Sequence, residues 1–333
     1  MNMSSNDIER LLTTSDPTAV DELMAEACRL RDAAYGRRVF VRGLIEITNH
    51  CKNDCLYCGI RRSNPCRRYR LSEEQVLDCC RQGHALGIRT FVLQGGEDAW
   101  MTDERVCGMV GEIRHQFPDC AITLSLGERG RESFRRLREA GADRYLLRHE
   151  TADRDHYARL HPADMSFDHR MECLHDLRDL GFQVGCGFMV GSPFQTIETI
   201  KKDLEFIADF RPEMVGIGPF IPAEGTPFAD RRAGSVETTI RLLAMIRILL
   251  PNVLLPATTA LGTLHPKGRE LAIAAGANVV MPNLSPQDTR ALYSIYNNKL
   301  STGSEAAESI ADIRARLKAI GMETPVSRGD YQA

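Results

Sequence analysis

The 333-residue sequence lacks an excess of positive charge, a long apolar run and more than a sprinkling of aromatic residues. Its 42 Lys and Arg are outnumbered by 45 Asp and Glu, giving a net charge of −3. Nonspecific nucleic-acid binding needs a basic footprint and is not expected. No uninterrupted apolar stretch is long enough to span a bilayer, so no membrane association is expected. The start, Met1-Asn2-Met3-Ser4-Ser5-Asn6-Asp7, has neither a basic n-region nor an apolar core and does not read as a signal peptide. Together these absences predict a cytoplasmic protein. No Gly-x-Gly-x-x-Gly follows the first predicted strand, which removes the main support for an open nucleotide-binding sheet.

What is present begins with a core: 43% of residues are hydrophobic. Up to about Gly36 the pattern is helical, with Ser15-Asp16-Pro17 as a cap and first turn. Short β-branched runs then alternate with longer stretches of helical period. The predicted strands are Leu44–Thr48, Thr90–Gln94, Ala121–Leu126, Arg144–His149, Val184–Val190, Met214–Gly218, Leu254–Thr259 and Asn278–Met281. Between them, Ser72-Glu73-Glu74-Gln75 forms a capping box. Ile197, Ile200, Leu204 and Ile207 share one helical face, as do Ile310, Ile313, Leu317 and Ile320 in the last helix. Gly87, Gly141, Gly181 and Gly276 mark helix C-termini.

Near-continuous apolar strands separated by helices imply a parallel sheet covered on both faces. Eight such units predict an α/β fold, a (β/α)₈ TIM-type barrel. The expected organisation is an N-terminal helical extension over 1–36, the barrel over 37–300, and a C-terminal helix and tail over 301–333, all in one domain. Chemistry in such a barrel sits on the loops that leave the C-terminal strand ends.

Eleven cysteines are many for a reducing compartment, where they serve as thiols or metal ligands rather than disulfides. Cys28, Cys79, Cys80, Cys107 and Cys173 fall in helical patterns and Cys120 near a strand start, all as small buried hydrophobes. Cys51, Cys55 and Cys58 differ, because they follow the first strand closely enough to converge on one inorganic cluster. A [4Fe–4S] cube normally takes four cysteines; three leave one iron open to a small molecule, as in an open catalytic metal site. A structural zinc site would need a fourth ligand such as His50 or Cys66. A Cys-x-x-Cys redox pair would need a thioredoxin-like context that this pattern does not offer.

Cys-x₃-Cys-x₂-Cys, with Tyr57 just before the last cysteine, resembles the signature of the radical S-adenosylmethionine (SAM) superfamily. The resemblance implies that SAM chelates the open iron and that an electron breaks its S–C5′ bond, releasing a 5′-deoxyadenosyl radical. Gln94-Gly95-Gly96-Glu97-Asp98 ends the second strand, where glycines let the backbone approach a ligand. Arg148-His149-Glu150 ends the fourth and points charge into an otherwise apolar site.

From about Val41 to Tyr296 these segments resemble the HydE family, radical SAM maturases that help to build the [FeFe]-hydrogenase H-cluster. The resemblance rests on Tyr57-Cys58-Gly59-Ile60-Arg61-Arg62, Val92–Asp98, Thr123–Glu128 and Arg148-His149-Glu150-Thr151. It continues through Gly216–Pro222, Pro256-Ala257-Thr258-Thr259-Ala260 and Met281-Pro282-Asn283. It implies that Gly95, Gly96 and Glu97 bind the methionine amino group of SAM. Glu150 and Arg170 would hold its ribose and carboxylate, and Tyr57, Met189 and Ile221 would lie near adenine. Gln94, Thr123, Arg148, Thr258, Thr259 and Tyr293 would line the substrate cavity, with Arg42 contributing to an anion site in the barrel. Such donors suit an anionic ligand. The implied substrate is an organometallic iron unit carrying CO, cyanide and cysteine, with partner maturases and an electron donor as transient contacts.

Two features depart from the family pattern. No cysteine follows Cys186, so the second C-terminal cluster of some members is not expected. Phe194 stands in Gly191-Ser192-Pro193-Phe194-Gln195-Thr196 where glycine is expected. The alternatives are a methylornithine synthase-like mutase, a biotin synthase-like enzyme, or a non-catalytic carrier of an iron fragment. Biotin synthase-like chemistry needs cysteines inside the barrel, for which only Cys186 lies on a suitable strand. A carrier has no use for a SAM pocket. The basic loop Arg61–Arg70, which holds Cys66, reads as a solvated face able to meet an acidic partner.

Overall fold

The computed structural model describes residues 3–300 and 306–332. Residues 301–305 and 333 of the expected C-terminal segment, and Met1 and Asn2 at the start, lie outside the described residues.

Two helices, Ser5–Thr13 and Pro17–Tyr35, open the chain. The second starts as expected: Asp16 accepts from the Thr18 N–H, and Pro17 fills the first turn, where its missing N–H is harmless. Ten short strands follow: β1 Phe40–Val41, β2 Gly43–Thr48, β3 Thr90–Gly95, β4 Ala121–Ser125, β5 Arg144–Leu146, β6 Gln183–Cys186, β7 Met189–Val190, β8 Met214–Val215, β9 Gly218–Pro219 and β10 Val279–Val280. A continuous parallel ladder runs β2-β3-β4-β5-β6-β8. β1 pairs with β10, and β7 with β9.

Isolated bridges carry the circuit across the remaining gap. Met214 bridges Leu254, Pro256 bridges Val279, and Leu44 bridges Asn283. The expected strand Leu254–Thr259 is thus a bridged segment rather than a ladder, and a helix already begins at Thr259. The barrel keeps its eight-unit course with a looser seam there.

The expected strands Val184–Val190 and Met214–Gly218 each break in two, and the cause is local. Gly187 has φ +149°, and a side chain there would sit 2.0 Å from the Gly216 carbonyl oxygen. The two backbones touch at this break, and β7 and β9 pair separately beyond it. Arg144–His149 likewise shortens to Leu146, because the chain turns through Glu150 at φ +65°.

Helices cover the barrel outside, with a core of buried Ile, Leu, Val and Phe between. The Ser72 capping box forms in both directions. Gly87, Gly141, Gly181 and Gly276 all take positive φ after helices. Ile310, Ile313 and Leu317 are buried, but Ile320 is exposed. The last helix stops at Ala319 and turns through Gly321 at φ +74°, so the helical period no longer governs Ile320.

The C-terminal tail seals the N-terminal end of the barrel. Arg144 donates to the Arg328 carbonyl and pairs with Asp330, Thr90 donates to the same carbonyl, and Arg42 donates to the Gly329 carbonyl. The opposite end, at the C-terminal strand ends, is open.

Candidate active site

A cavity of about 370 Å³ occupies the open end. It is lined by Cys51, Cys55, Tyr57, Cys58, Gln94, Gly95, Gly96, Glu97, Arg148, Glu150, Arg170, Met189, Ile221, Thr258, Thr259 and Tyr293. These are the expected site residues apart from Thr123. They come from separate strand-end loops, as barrel geometry dictates.

The cysteine loop is pinned at both ends. Arg68 donates to the carbonyls of Asn49, Ile60, Arg61 and Asn64, bracketing the three thiols between its partners. Asp54, between the first two cysteines, pairs with Arg61 at 2.7 Å, which holds its carboxyl well below the usual range. The Lys52 N–H donates to the Glu97 carbonyl, tying this loop to the end of β3. Burial pushes the Cys58 thiol up to about 12 and raises Cys55 and Cys51 as well. Bare thiolates are disfavoured in such a pocket, and a bound cation reverses that preference.

Spacing bears on what those thiols fit. A tetrahedral ion with bonds of 2.3 Å brings two sulfurs to about 3.8 Å. Cys51, Cys55 and Cys58 do not form a compact single-ion group among the described residues. Neither His50 nor Cys66 joins them in a single-ion group among the described residues. His84, Asp119 and Cys120 do form such a group, far from the cavity, but Arg89 already sits on Asp119 at 2.8 Å.

At the end of β3, glycine is required. A side chain at Gly96 would lie 2.3 Å from the His50 carbonyl oxygen and 2.7 Å from Cys51 Cβ. Glu97 accepts from the Glu128 N–H through Oε1, while Oε2 has the Lys52 ammonium at 3.2 Å. Across the cavity, Glu150 Oε2 and Arg148 Nη2 approach to 3.6 Å, and neither atom makes a hydrogen bond. Arg170 donates to Glu128 at 2.5 Å and to the Arg148 carbonyl at 2.7 Å. Burial works against its charge, but Tyr157, Glu128 and Tyr57 raise its pKa overall.

Tyr57 faces His161, its hydroxyl 3.1 Å from Nε2. His161 Nδ1 lies 3.0 Å from the Tyr157 carbonyl, which places the ring proton on Nδ1 and makes Nε2 the acceptor for Tyr57. Burial lowers the His161 pKa to about 3, keeping the ring neutral.

Deeper in, Gln94 donates to the Tyr293 hydroxyl at 3.3 Å, and the buried Thr258 Oγ1 has no partner. Thr123 is elsewhere. Ser125, two residues further along β4, lines the cavity, and the two-residue period of a strand drops Thr123 one layer lower. There it borders a void of about 10 Å³ with Arg42, Arg144 and Met214. Thr123 Oγ1 and Arg42 Nε are both buried without a partner.

Sequence reasoning missed Glu46 and Lys299, which also line the cavity. The buried Glu46 pairs with Lys299 and accepts from Asn283 at 2.8 Å. The signal was present: a carboxylate inside Gly43-Leu44-Ile45-Glu46-Ile47-Thr48 is a charge placed among core residues.

Comparison with known proteins fits this site. The radical SAM superfamily profile matches residues 45–207. The [FeFe] hydrogenase maturase subunit HydE of Thermotoga maritima is 41% identical over 315 residues, covering 94% of this chain and 90% of its own. This chain belongs to the HydE family of radical SAM enzymes. A 3-methylornithine synthase of Methanosarcina barkeri is 28% identical over 99% of this chain and 93% of its own. Among solved structures, methylornithine synthase PylB superimposes with a TM-score of 0.88 at 27% identity, covering 98% and 95% of the two chains. The maturase HydG shares the fold, with a TM-score of 0.79 at 19% identity over 97% of this chain and 73% of its own.

Membership in the HydE family implies a [4Fe–4S] cluster and SAM, and the residues present fit both. The three thiols line one cavity, and Glu150 Oε2, Arg148 Nη2 and Thr258 Oγ1 are buried polar atoms in its wall without hydrogen-bond partners. At the departure from the family pattern, Phe194 takes φ +69°, the left-handed conformation that favours glycine. Cys186 points away from the barrel interior. Gln183 and Gly185 face the inner void, whereas Cys186 lies in the outer core with Leu204 and Ile207. It is therefore not placed to serve a cluster inside the barrel. No helix among the described residues is long and apolar enough to cross a membrane.

Proposed function

We propose that this radical SAM enzyme acts in [FeFe]-hydrogenase H-cluster assembly, in the cytoplasm, on a cysteine-bearing iron carbonyl and cyanide precursor. The observation that carries the reading is the cavity itself. It runs from the three thiols to a deeper wall of Gln94, Arg148, Thr258, Thr259 and Tyr293, donors suited to an anionic organometallic ligand. The 41% identity to a HydE over most of both chains supports the same reading.

In this proposal Cys51, Cys55 and Cys58 hold the [4Fe–4S] cluster. When bound, the cluster and SAM supply a one-electron cleavage that yields a 5′-deoxyadenosyl radical. The backbone at Gly95 and Gly96, with the Glu97 carboxylate, receives the methionine ammonium. Glu150 accepts from the ribose hydroxyls, and the Arg170 guanidinium faces the carboxylate. Tyr57, Met189 and Ile221 flank the adenine, with Tyr57 steadied by His161. Enclosure by these side chains keeps water from a radical that would otherwise be quenched. Thr123 and Arg42 line a small void below this chamber, where their donors would face an anionic group at the chamber floor.

A second reading, a methylornithine synthase-like mutase, is favoured by the PylB superposition and by the Glu46–Lys299 pair, which suits the charges of an amino acid.

The test is anaerobic. The protein is reconstituted with iron and sulfide, given SAM and dithionite, and assayed for 5′-deoxyadenosine, with Cys55→Ser as control. Cleavage that needs Cys55 and rises when a cysteine-bearing iron carbonyl is added supports the maturase. Cleavage indifferent to that compound but stimulated by an α-amino acid transfers the assignment to the mutase. With cluster and SAM both verified, absence of cleavage overturns the enzymatic reading in favour of an iron-fragment carrier.

A further inference from the structure

Reductive cleavage of SAM consumes one electron per event, so a donor must lose one electron at the surface of this protein. We infer that the exposed strip formed by Lys52, Arg70, Trp100 and Arg105, beside the cysteine loop, docks a small acidic protein that delivers one electron at a time. The inference rests on the reading that Cys51, Cys55 and Cys58 hold the cluster.

Contacts make the strip continuous. Cys51 packs against Gly96, and Lys52, the next residue, reaches Glu97 at 3.2 Å. Asp98 pairs with Arg70 at 2.6 Å and accepts from the Trp100 N–H. The Arg105 guanidinium lies 3.8 Å over the Trp100 ring, and Arg70 flanks the same ring at 5.5 Å. From a cluster ligand to Arg105 the chain of touching groups is unbroken.

The charge it shows to solvent is mostly cationic. The Lys52 side chain is 62% exposed, whereas the carboxylates of Glu97 and Asp98 are 8% and 3% exposed. Glu104, beside Arg105, is 72% exposed, but Arg136, itself 38% exposed, engages it at 2.9 Å. On a chain with net charge −3, a cationic strip over the one site that must receive electrons is a departure from the average surface. Such a field raises the encounter rate with an acidic partner.

Trp100 is the second observation. It is a large apolar ring, 39% exposed, in the middle of the strip. Surface tryptophan flanked by arginine is the composition of a binding hot spot. An amphipathic ring stacked by two guanidinium groups suits a transient contact that must also release.

Trp100→Ala, Arg105→Glu and the double variant test the inference. Each is assayed for 5′-deoxyadenosine with photoreduced acidic flavodoxin and, separately, with reduced methyl viologen, a small cation that needs no docking. Iron content and the cluster absorbance are recorded for each. The expected result is a loss of roughly tenfold or more in the flavodoxin-driven rate of the double variant at low salt, converging with wild type as salt rises. The viologen-driven rate stays at the wild-type value. Equal flavodoxin rates for wild type and double variant overturn the inference. So does a matching loss with viologen, which would place the effect on the cluster. If wild type itself makes no 5′-deoxyadenosine with viologen, the cluster reading fails instead, and iron content separates that outcome from poor reconstitution.

Discussion

His149 and Asp203 face one another at 3.4 Å with neither side chain reaching solvent. His149 accepts the Gly187 N–H through Nδ1, leaving its Nε2 proton toward the carboxylate, and Asp203 also accepts from the Ala152 N–H. The pair flanks Glu150, the cavity carboxylate held at φ +65°. Asp203→Ala strands a buried imidazole N–H and the Ala152 N–H at once, a loss of about 1–3 kcal/mol for each. The expected outcome is a lower urea midpoint together with a raised KM for SAM; an unchanged KM would show that the pair serves stability alone.

The neutrality of His161 gives the fold an acid-sensitive limb. Its folded pKa, lowered to about 3 by burial first and Arg170 next, lies below the ordinary value of about 6.5. The unfolded chain therefore binds the proton more readily. Stability is complete above about pH 6.5 and falls as pH drops toward the folded value, by at most about 1.4 kcal/mol per unit. Urea midpoints of the cluster-free protein from pH 7 to 4 read this slope, and His161→Gln is expected to flatten it.

Arg68 donates to four carbonyls around the cysteine loop. A lysine keeps the charge but offers a point donor in place of a planar fork. Arg68→Lys is expected to lose roughly 2 kcal/mol or more from those bonds. Iron retained after dialysis should fall and the electron paramagnetic resonance of the reduced protein broaden, while far-UV circular dichroism stays constant.

Phe194 occupies a left-handed position at φ +69° beneath the Arg159 guanidinium, which stacks at 3.5 Å. A non-glycine residue there carries about 1–2 kcal/mol of strain, while an arginine–aromatic contact returns about 0.5–1 kcal/mol. Phe194 also packs against Phe228 and its buried neighbours. Phe194→Gly loses that packing and adds chain entropy to the unfolded state, and is expected to be mildly destabilising in thermal unfolding. An unchanged midpoint would show that relief of strain balances both.

Cys186 faces the outer core, so Cys186→Ala removes only a small buried thiol. 5′-Deoxyadenosine yield is expected to match wild type. A loss of yield at constant iron content would return the residue to the reaction.

The sequence was most legible where periodicity and glycine placement acted locally. Thr90–Gln94 lies within one residue of β3, the Ser72 box forms, and Gly87 turns its helix end as expected. The cysteine, Gly-Gly-Glu and Arg-His-Glu segments were legible as motifs, and the fold brings them to one cavity. Long-range pairing was not. Glu46 meets Lys299 across 253 residues, and Thr90 meets the tail across 238, distances over which no local period carries information. The depth of Thr123 was also not legible: a motif match identifies a strand, but how far down the barrel axis each side chain sits depends on register.

The tail that joins Arg328, Gly329 and Asp330 to Arg42, Thr90 and Arg144 has a kinetic consequence. Among the described residues the chamber is closed at its base and open at the strand ends, and the proposed SAM site stands at that open end. If SAM sits as proposed, a ligand resting against Thr258 and Tyr293 is expected to arrive before SAM and depart after its fragments. Loading is then a queue rather than a random encounter, and preincubation with saturating SAM delays uptake of the deeper ligand in a stopped-flow record.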